Sequence, residues 1–195
     1  TDPRALLGEA KRRIFDSEPG VDSLLTRALT INPNYVEARA QRAQLLMEIE
    51  EYPLAEKEAE RALTVNPSSS DALAVLAAVR YVTGDIKGFE EARQRAFALN
   101  PSNSAFYMTM SSAASRIRLY AAADSFALMG IAADPKSWEA YGLAGMNQLH
   151  LGQIATGRKS LEASFAGDPY NIWVKNTLDL LDTFKNYDDT TAGKF

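Results

Sequence analysis

The stretch from Val36 to Ser69, VEARAQRAQLLMEIEEYPLAEKEAERALTVNPSS, is 34 residues long and closes on an Asn66-Pro67 pair. The pair recurs at that spacing along the chain. Prolines stand at Pro33, Pro67, Pro101, Pro135 and Pro169, preceded by Asn32, Asn66, Asn100, Asp134 and Asp168. An unbroken period of this length marks a solenoid of helical hairpins. Proline drives the residue before it out of the α region, so each Asn/Asp-Pro step ends a helix.

With proline as the thirty-second position, the units are 2–35, 36–69, 70–103, 104–137 and 138–171, and a sixth first-helix follows. Small residues then fall in register. Ala38, Ala72 and Ala140 share one first-helix site, Ala55 and Ala123 a second-helix site, and Ala28, Ala62 and Ala96 another. Small side chains at recurring sites let antiparallel helices approach closely, as stacked hairpins require. Turn signals separate the paired helices at Pro19-Gly20, Glu51-Tyr52-Pro53, Gly84-Asp85 and Gly152-Gln153. Glycine tolerates the left-handed end of a helix, and proline is accepted in a first turn. The chain reads as all-α, about eleven helices, with a core running as one continuous strip through the repeats.

Composition narrows the function classes. The 195 residues are 46% apolar and carry a net charge of −4, with a pI near 5.1. That balance gives no basic footprint for a nucleic acid. No stretch approaches the roughly 20 apolar residues of a spanning helix, so membrane insertion is not expected. Cysteine is absent, which excludes disulfides and thiolate chemistry and leaves cytoplasmic and periplasmic locations both open. Thr1-Asp2-Pro3 lacks signal-peptide character and reads as a cut point, with more sequence expected upstream.

The unit resembles the tetratricopeptide repeat, whose pattern has small residues at its eighth, twentieth and twenty-seventh positions and proline at its thirty-second. Ala43, Tyr52, Ala55, Ala62 and Pro67 of the second unit match it. The resemblance covers nearly the whole chain. It implies an all-α, right-handed solenoid of antiparallel helix pairs, five units with a capping helix over 172–187 and a tail or linker over 188–195. Departures are Phe89, Gly130, Gly157 and Ser164 at small sites, and Val21 in the first unit. Helical glycine costs roughly 0.5–1 kcal/mol relative to alanine, so the fourth and fifth units are expected to be looser or unusually packed. Arg4, Lys11, Arg12 and Arg13 suit the polar outer face of an N-terminal cap.

In such arrays the second, fifth, ninth and twelfth positions of the first helices face a concave surface. The resemblance places Glu37, Ala40, Gln44 and Met47 there from the second unit, and Asp71, Ala74, Ala78 and Tyr81 from the third. Ala105, Met108, Ser112 and Ser115 follow, then Glu139, Gly142, Met146 and Leu149, then Trp173, Asn176, Leu180 and Thr183. The expected partner-binding set is Gln44, Met47, Ala74, Ala78, Tyr81, Met108, Ser112, Met146, Leu149, Trp173 and Asn176. This floor reads as small, apolar and methionine-bearing, suited to an amphipathic helix or an apolar peptide. The same residues can equally touch neighbouring repeats or an adjoining domain of the same polypeptide. A clamp for acidic chaperone tails needs cations, and the fifth, sixth and ninth sites carry Ala40, Gln41, Gln44, Ala74, Val75, Ala78, Met108 and Thr109. No clamp can be assembled from them.

Catalytic signatures are missing. His150, the only histidine, closes a first helix, where a capping role fits. Glu56, Glu58 and Glu60 with Lys57 and Arg61 read as a solvated helix face. Asp188-Asp189 reads as a solvated tail. No phosphate loop, nucleophile elbow or metal motif occurs, so the chain alone is expected to be non-catalytic, with no cofactor. Its partner is expected to be a protein or peptide, an adjoining domain, or a second copy stacked on an exposed solenoid end.

The last helix carries one narrower resemblance. Asn176-Thr-Leu-Asp-Leu-Leu-Asp182, with Phe184 and Tyr187, is similar to the junction where certain bacterial tetratricopeptide arrays enter a peptidase-MA-like zinc domain. Lys194-Phe195 replaces the His-Phe pair expected just beyond it. The implication is a docking and positioning arm of a larger zinc peptidase, with the catalytic residues outside this chain.

Overall fold

The structure, a computed structural model, describes residues 2–184. Among them lie eleven helices: α1 (Pro3–Phe15), α2 (Val21–Ile31), α3 (Val36–Glu48), α4 (Tyr52–Val65), α5 (Ser70–Thr83), α6 (Ile86–Leu99), α7 (Ser104–Arg116), α8 (Tyr120–Ala133), α9 (Trp138–His150), α10 (Ile154–Gly167) and α11 (Ile172–Thr183). They form a solenoid of helix pairs. The first helices α3, α5, α7 and α9 stack on one another, while α2, α4 and α8 each touch the first helix of the next pair.

Each repeat boundary is built alike. Asn32, Asn66, Asn100, Asp134 and Asp168 leave the helical region at the ends of their helices, with φ between −130 and −144°. Each side-chain oxygen accepts from the N–H two residues on, at 2.9–3.2 Å, bridging the proline. These are Asx turns, which need a short side chain with an acceptor. They explain why the residue before proline is always Asn or Asp.

Between paired helices, Glu50, Gly84, Arg118 and Gly152 adopt left-handed backbone at φ 65, 85, 63 and 75°. Glycine serves two of these turns and a larger side chain the other two. The first pair differs: its longer turn puts both Ser17 and Gly20 at positive φ.

Close approach of helices decides the small sites. Ala43, Ala55, Ala62, Ala96 and Ala123 are fully buried. A methyl added at Gly145 would sit 2.9 Å from the Gly157 carbonyl oxygen, and one at Gly157 would sit 3.0 Å from that of Gly145. These glycines let α9 and α10 touch backbone to backbone, so of the two expectations for the fifth unit, looser or unusually packed, the structure shows the second. Ser164, at the alanine site, is buried and donates to the Trp138 carbonyl at 2.7 Å. Phe89 is buried edge-on to Tyr81, their ring centroids 5.3 Å apart.

The core is three clusters and not one strip. The central one runs from Ala40 to Ala113, the N-terminal one from Leu6 to Ala38, and the last holds Leu161, Val174 and Leu181. A polar layer lies between the central and C-terminal clusters. Gln148 donates to Asp124 at 2.9 Å and accepts from Ser160 at 2.8 Å, joining α8, α9 and α10. Beside it Asn147 donates to the Leu143 carbonyl at 2.8 Å and to Ser111 Oγ at 3.4 Å. The Asn147 Oδ1 atom is buried without a partner.

One charged run is not the solvated face its composition suggests. Glu58 is buried and meets Arg39 at 2.6 Å and Arg61 at 2.9 Å. The cations come from α3 and α4, so the carboxylate ties the two helices of one pair together. Glu56 and Glu60 both reach Arg80 on α5.

Candidate functional site: the concave groove

A groove of about 680 Å³ runs along the stacked first helices. Its lining comes from Gln44, Met47 and Glu48 of α3, Asp71 of α5, six α7 residues from Ala105 to Arg116, Glu139 of α9 and Trp173 of α11. Ser17, from the turn after α1, also lines it. A second cleft of about 690 Å³ separates the two ends of the solenoid. Phe15, Asp16 and Ser17 face Asp168 and residues 170–173 across it. The superhelix has therefore turned far enough to bring its first turn opposite its last helix.

Of the eleven expected partner-binding residues, Gln44, Met47, Met108, Ser112 and Trp173 line the groove. Met47 presents only an edge, being buried. Ala74 and Ala78 are sealed in the central core and offer almost no surface, because α5 is packed on one side by α3 and on the other by α7. Tyr81 is half-buried and lies outside this lining, edge-on to Phe89 and Phe126 with both centroid distances 5.3 Å. Leu149 packs on the C-terminal cluster. Met146 and Asn176 are exposed, and Thr177 donates to the Met146 sulfur at 3.7 Å.

The floor is correspondingly more polar than its repeat positions suggest. Burial of the α5 alanines leaves side chains at the second and thirteenth positions to face the opening. Those are Asp71 and Glu139, then Glu48 and Arg116. The thirteenth position was missed in the sequence, because the family pattern assigns the twelfth to the groove. Ser17 was missed as well; no periodic signal in the first unit marks it, since it enters only through superhelical closure.

Glu139 is exposed to solvent, yet the protein packed beside it desolvates its carboxyl enough to push it up from the ordinary value. Glu48 accepts from the neutral Gln44 amide at 3.2 Å. His150 ends α9 away from this lining, its ring stacked on Tyr120 at 4.3 Å. No cluster of three or more His, Asp or Glu side chains able to hold a metal occurs among the described residues. No helix among them is long and apolar enough to cross a membrane.

Solved structures of similar shape bear on the fold. A thermophilic TPR protein of Thermus thermophilus, TTC0263, superposes with a TM-score of 0.72 at 13% identity, covering 91% of this chain and 97% of that one. The fold is that of the tetratricopeptide repeat. YrrB, a TPR protein with an unusual peptide-binding site, is similar at a TM-score of 0.51 and 17% identity, over 91% of this chain and 92% of its own. The first TPR of Spaghetti (RPAP3), bound to the HSP90 peptide SRMEEVD, matches 60% of this chain and 96% of its own, at a TM-score of 0.50 and 18% identity. No family model matches the chain, and no curated protein does either. The segment Asn176–Asp182, expected from its resemblance to be a peptidase junction, lies on α11, no comparison supports that resemblance, and its continuation to Tyr187 and Lys194 falls outside the described residues.

Proposed function

We propose that this chain is a non-catalytic docking module that holds a peptide, a helix or an adjoining domain, such as one of the same polypeptide, in its concave groove. One observation carries the reading: five successive first helices, α3 to α11, and the turn after α1 converge on a single groove whose lining is mostly side chains outside the buried core. Structurally similar tetratricopeptide proteins include one with a peptide-binding site and one bound to a peptide, which supports this use of the fold. An acidic tail such as SRMEEVD would meet Glu48, Asp71 and Glu139 here, and like charges repel it. The reading of this chain as a zinc-peptidase arm rests on the α11 segment alone.

A photo-crosslinker placed at position 112, in the groove, and at position 91, on the exposed outer face of α6, tests the reading in extracts of the source cell. A defined protein product from position 112 and none from position 91 is expected. Equal labelling from both would remove the groove as the docking site.

A further inference from the structure

Ser17 and Trp173 line both the groove and the cleft between the solenoid ends, so the two are one channel with two kinds of wall. The inner part presents Glu48, Asp71 and Glu139 against the one guanidinium of Arg116. No ion pair engages Asp71, Glu139 or Arg116 among the described residues. Glu56 and Glu58, by contrast, each take an arginine. Glu139 is exposed at the groove surface with no cation beside it, and partial desolvation raises its carboxyl above the ordinary value.

The outer part sets exposed aromatic and aliphatic side chains beside Asp16, Ser17, Asp168 and Asn171. Phe15 and Tyr170 are each 86% exposed, Trp173 72% and Ile172 64%. Large aromatic side chains left this open across a cleft lack a packing partner. Trp173 stands where the two parts join, and an indole face attracts an ammonium or guanidinium group.

We propose that the channel receives an extended segment of a partner protein, with its lysine or arginine side chains against Asp71 and Glu139 and a neighbouring large apolar residue between Phe15 and Trp173. The inference rests on the groove being a protein-docking site, and adds the chemistry that the groove selects. Charge complementarity is its warrant: unpaired carboxylates inside a concave surface focus their field on whatever enters.

The test uses the whole chain and three fluorescein-labelled peptides, GKGKAFG, GSGSAFG and GEGEAFG, read by anisotropy. GKGKAFG is expected to bind best and to weaken as salt rises, because exposed charges are screened. The isosteric double substitution D71N/E139Q is expected to weaken it about tenfold, and E91Q on the outer surface to change nothing. Circular dichroism confirms that each variant is folded. If GSGSAFG or GEGEAFG binds as tightly and Ser112→Trp blocks it, cation selection is overturned while the docking groove stands. If Ser112→Trp leaves GKGKAFG binding intact, the channel is not the site and the proposal fails. Absence of binding by all three peptides at about 1 mM overturns the cationic preference, and the crosslinking result then decides the groove independently.

Discussion

The Glu58 carboxylate, 4% exposed, lies 2.6 Å from the Arg39 guanidinium and joins α4 to α3 inside the second repeat. Removing one member of such a pair strands the other charge in a poorly solvated place. Glu58→Ala is therefore expected to cost about 3 kcal/mol in urea unfolding. Arg39 keeps a second partner, the Pro33 carbonyl at 2.8 Å, so its own truncation breaks a repeat-boundary contact too. A cost for Glu58→Ala below about 1 kcal/mol would mean that Arg39 and Arg61 find water readily.

Two glycines should respond oppositely to alanine. Gly8 lies within α1 with nothing within 4 Å of an added methyl, so Gly8→Ala is expected to stabilise by about 0.5–1 kcal/mol through helix propensity. At Gly145 the methyl would meet Leu161 Cγ at 2.6 Å and the Gly157 oxygen at 2.9 Å. There the steric conflict outweighs propensity, and Gly145→Ala is expected to lower stability by about 1–3 kcal/mol. Thermal unfolding of both variants checks the contrast.

Left-handed backbone at Glu50 and Arg118 carries a cost of roughly 1–2 kcal/mol that glycine avoids. Glu50→Gly and Arg118→Gly are expected to raise the melting temperature, less than that figure suggests because glycine also loosens the unfolded chain. A lowered melting temperature in both would show that their side chains hold the turns.

The acid response has two opposing parts. Hydrogen bonds from Arg12 and Arg13 hold the Glu9 carboxyl at about 2, against an ordinary 4.5. Because the folded value is depressed, this contribution is complete above the unfolded value and is lost as pH falls from there towards 2. Glu139 is shifted the other way by burial. Its contribution is complete below the unfolded value and is lost as pH rises through the folded one. Glu139→Gln is thus expected to raise the melting temperature at pH 7 and leave it unchanged near pH 3. Glu9→Gln should lower it at pH 7. Calorimetry across that range separates the two.

The repeat fold was legible because its determinants are local. Proline at every thirty-second site, Asn or Asp before it and alanine at the helix crossings each act within a few residues. The Asx turns at Asn32 through Asp168 were written in the same pairs and went unread, since only proline's effect on its predecessor was considered. The groove was legible only in part. Ala74 and Met108 occupy the fifth site of successive first helices, yet one is sealed and the other faces the groove. That difference depends on how far each helix rotates against its neighbours, which no single-helix periodicity encodes. Glu58 looked solvated for the same reason: the cations that cover it come largely from another helix.

Because the turn after α1 stands opposite the start of α11, the molecule is a split ring with a gap between its ends. Every repeat junction contributes a small angle to the width of that gap. A substitution such as Gly145→Ala would open or narrow the gap by tilting α9 on α10. If the channel is the docking site, its affinity would depend on the geometry of every repeat junction as well as on the contacts, and altering one junction would retune it.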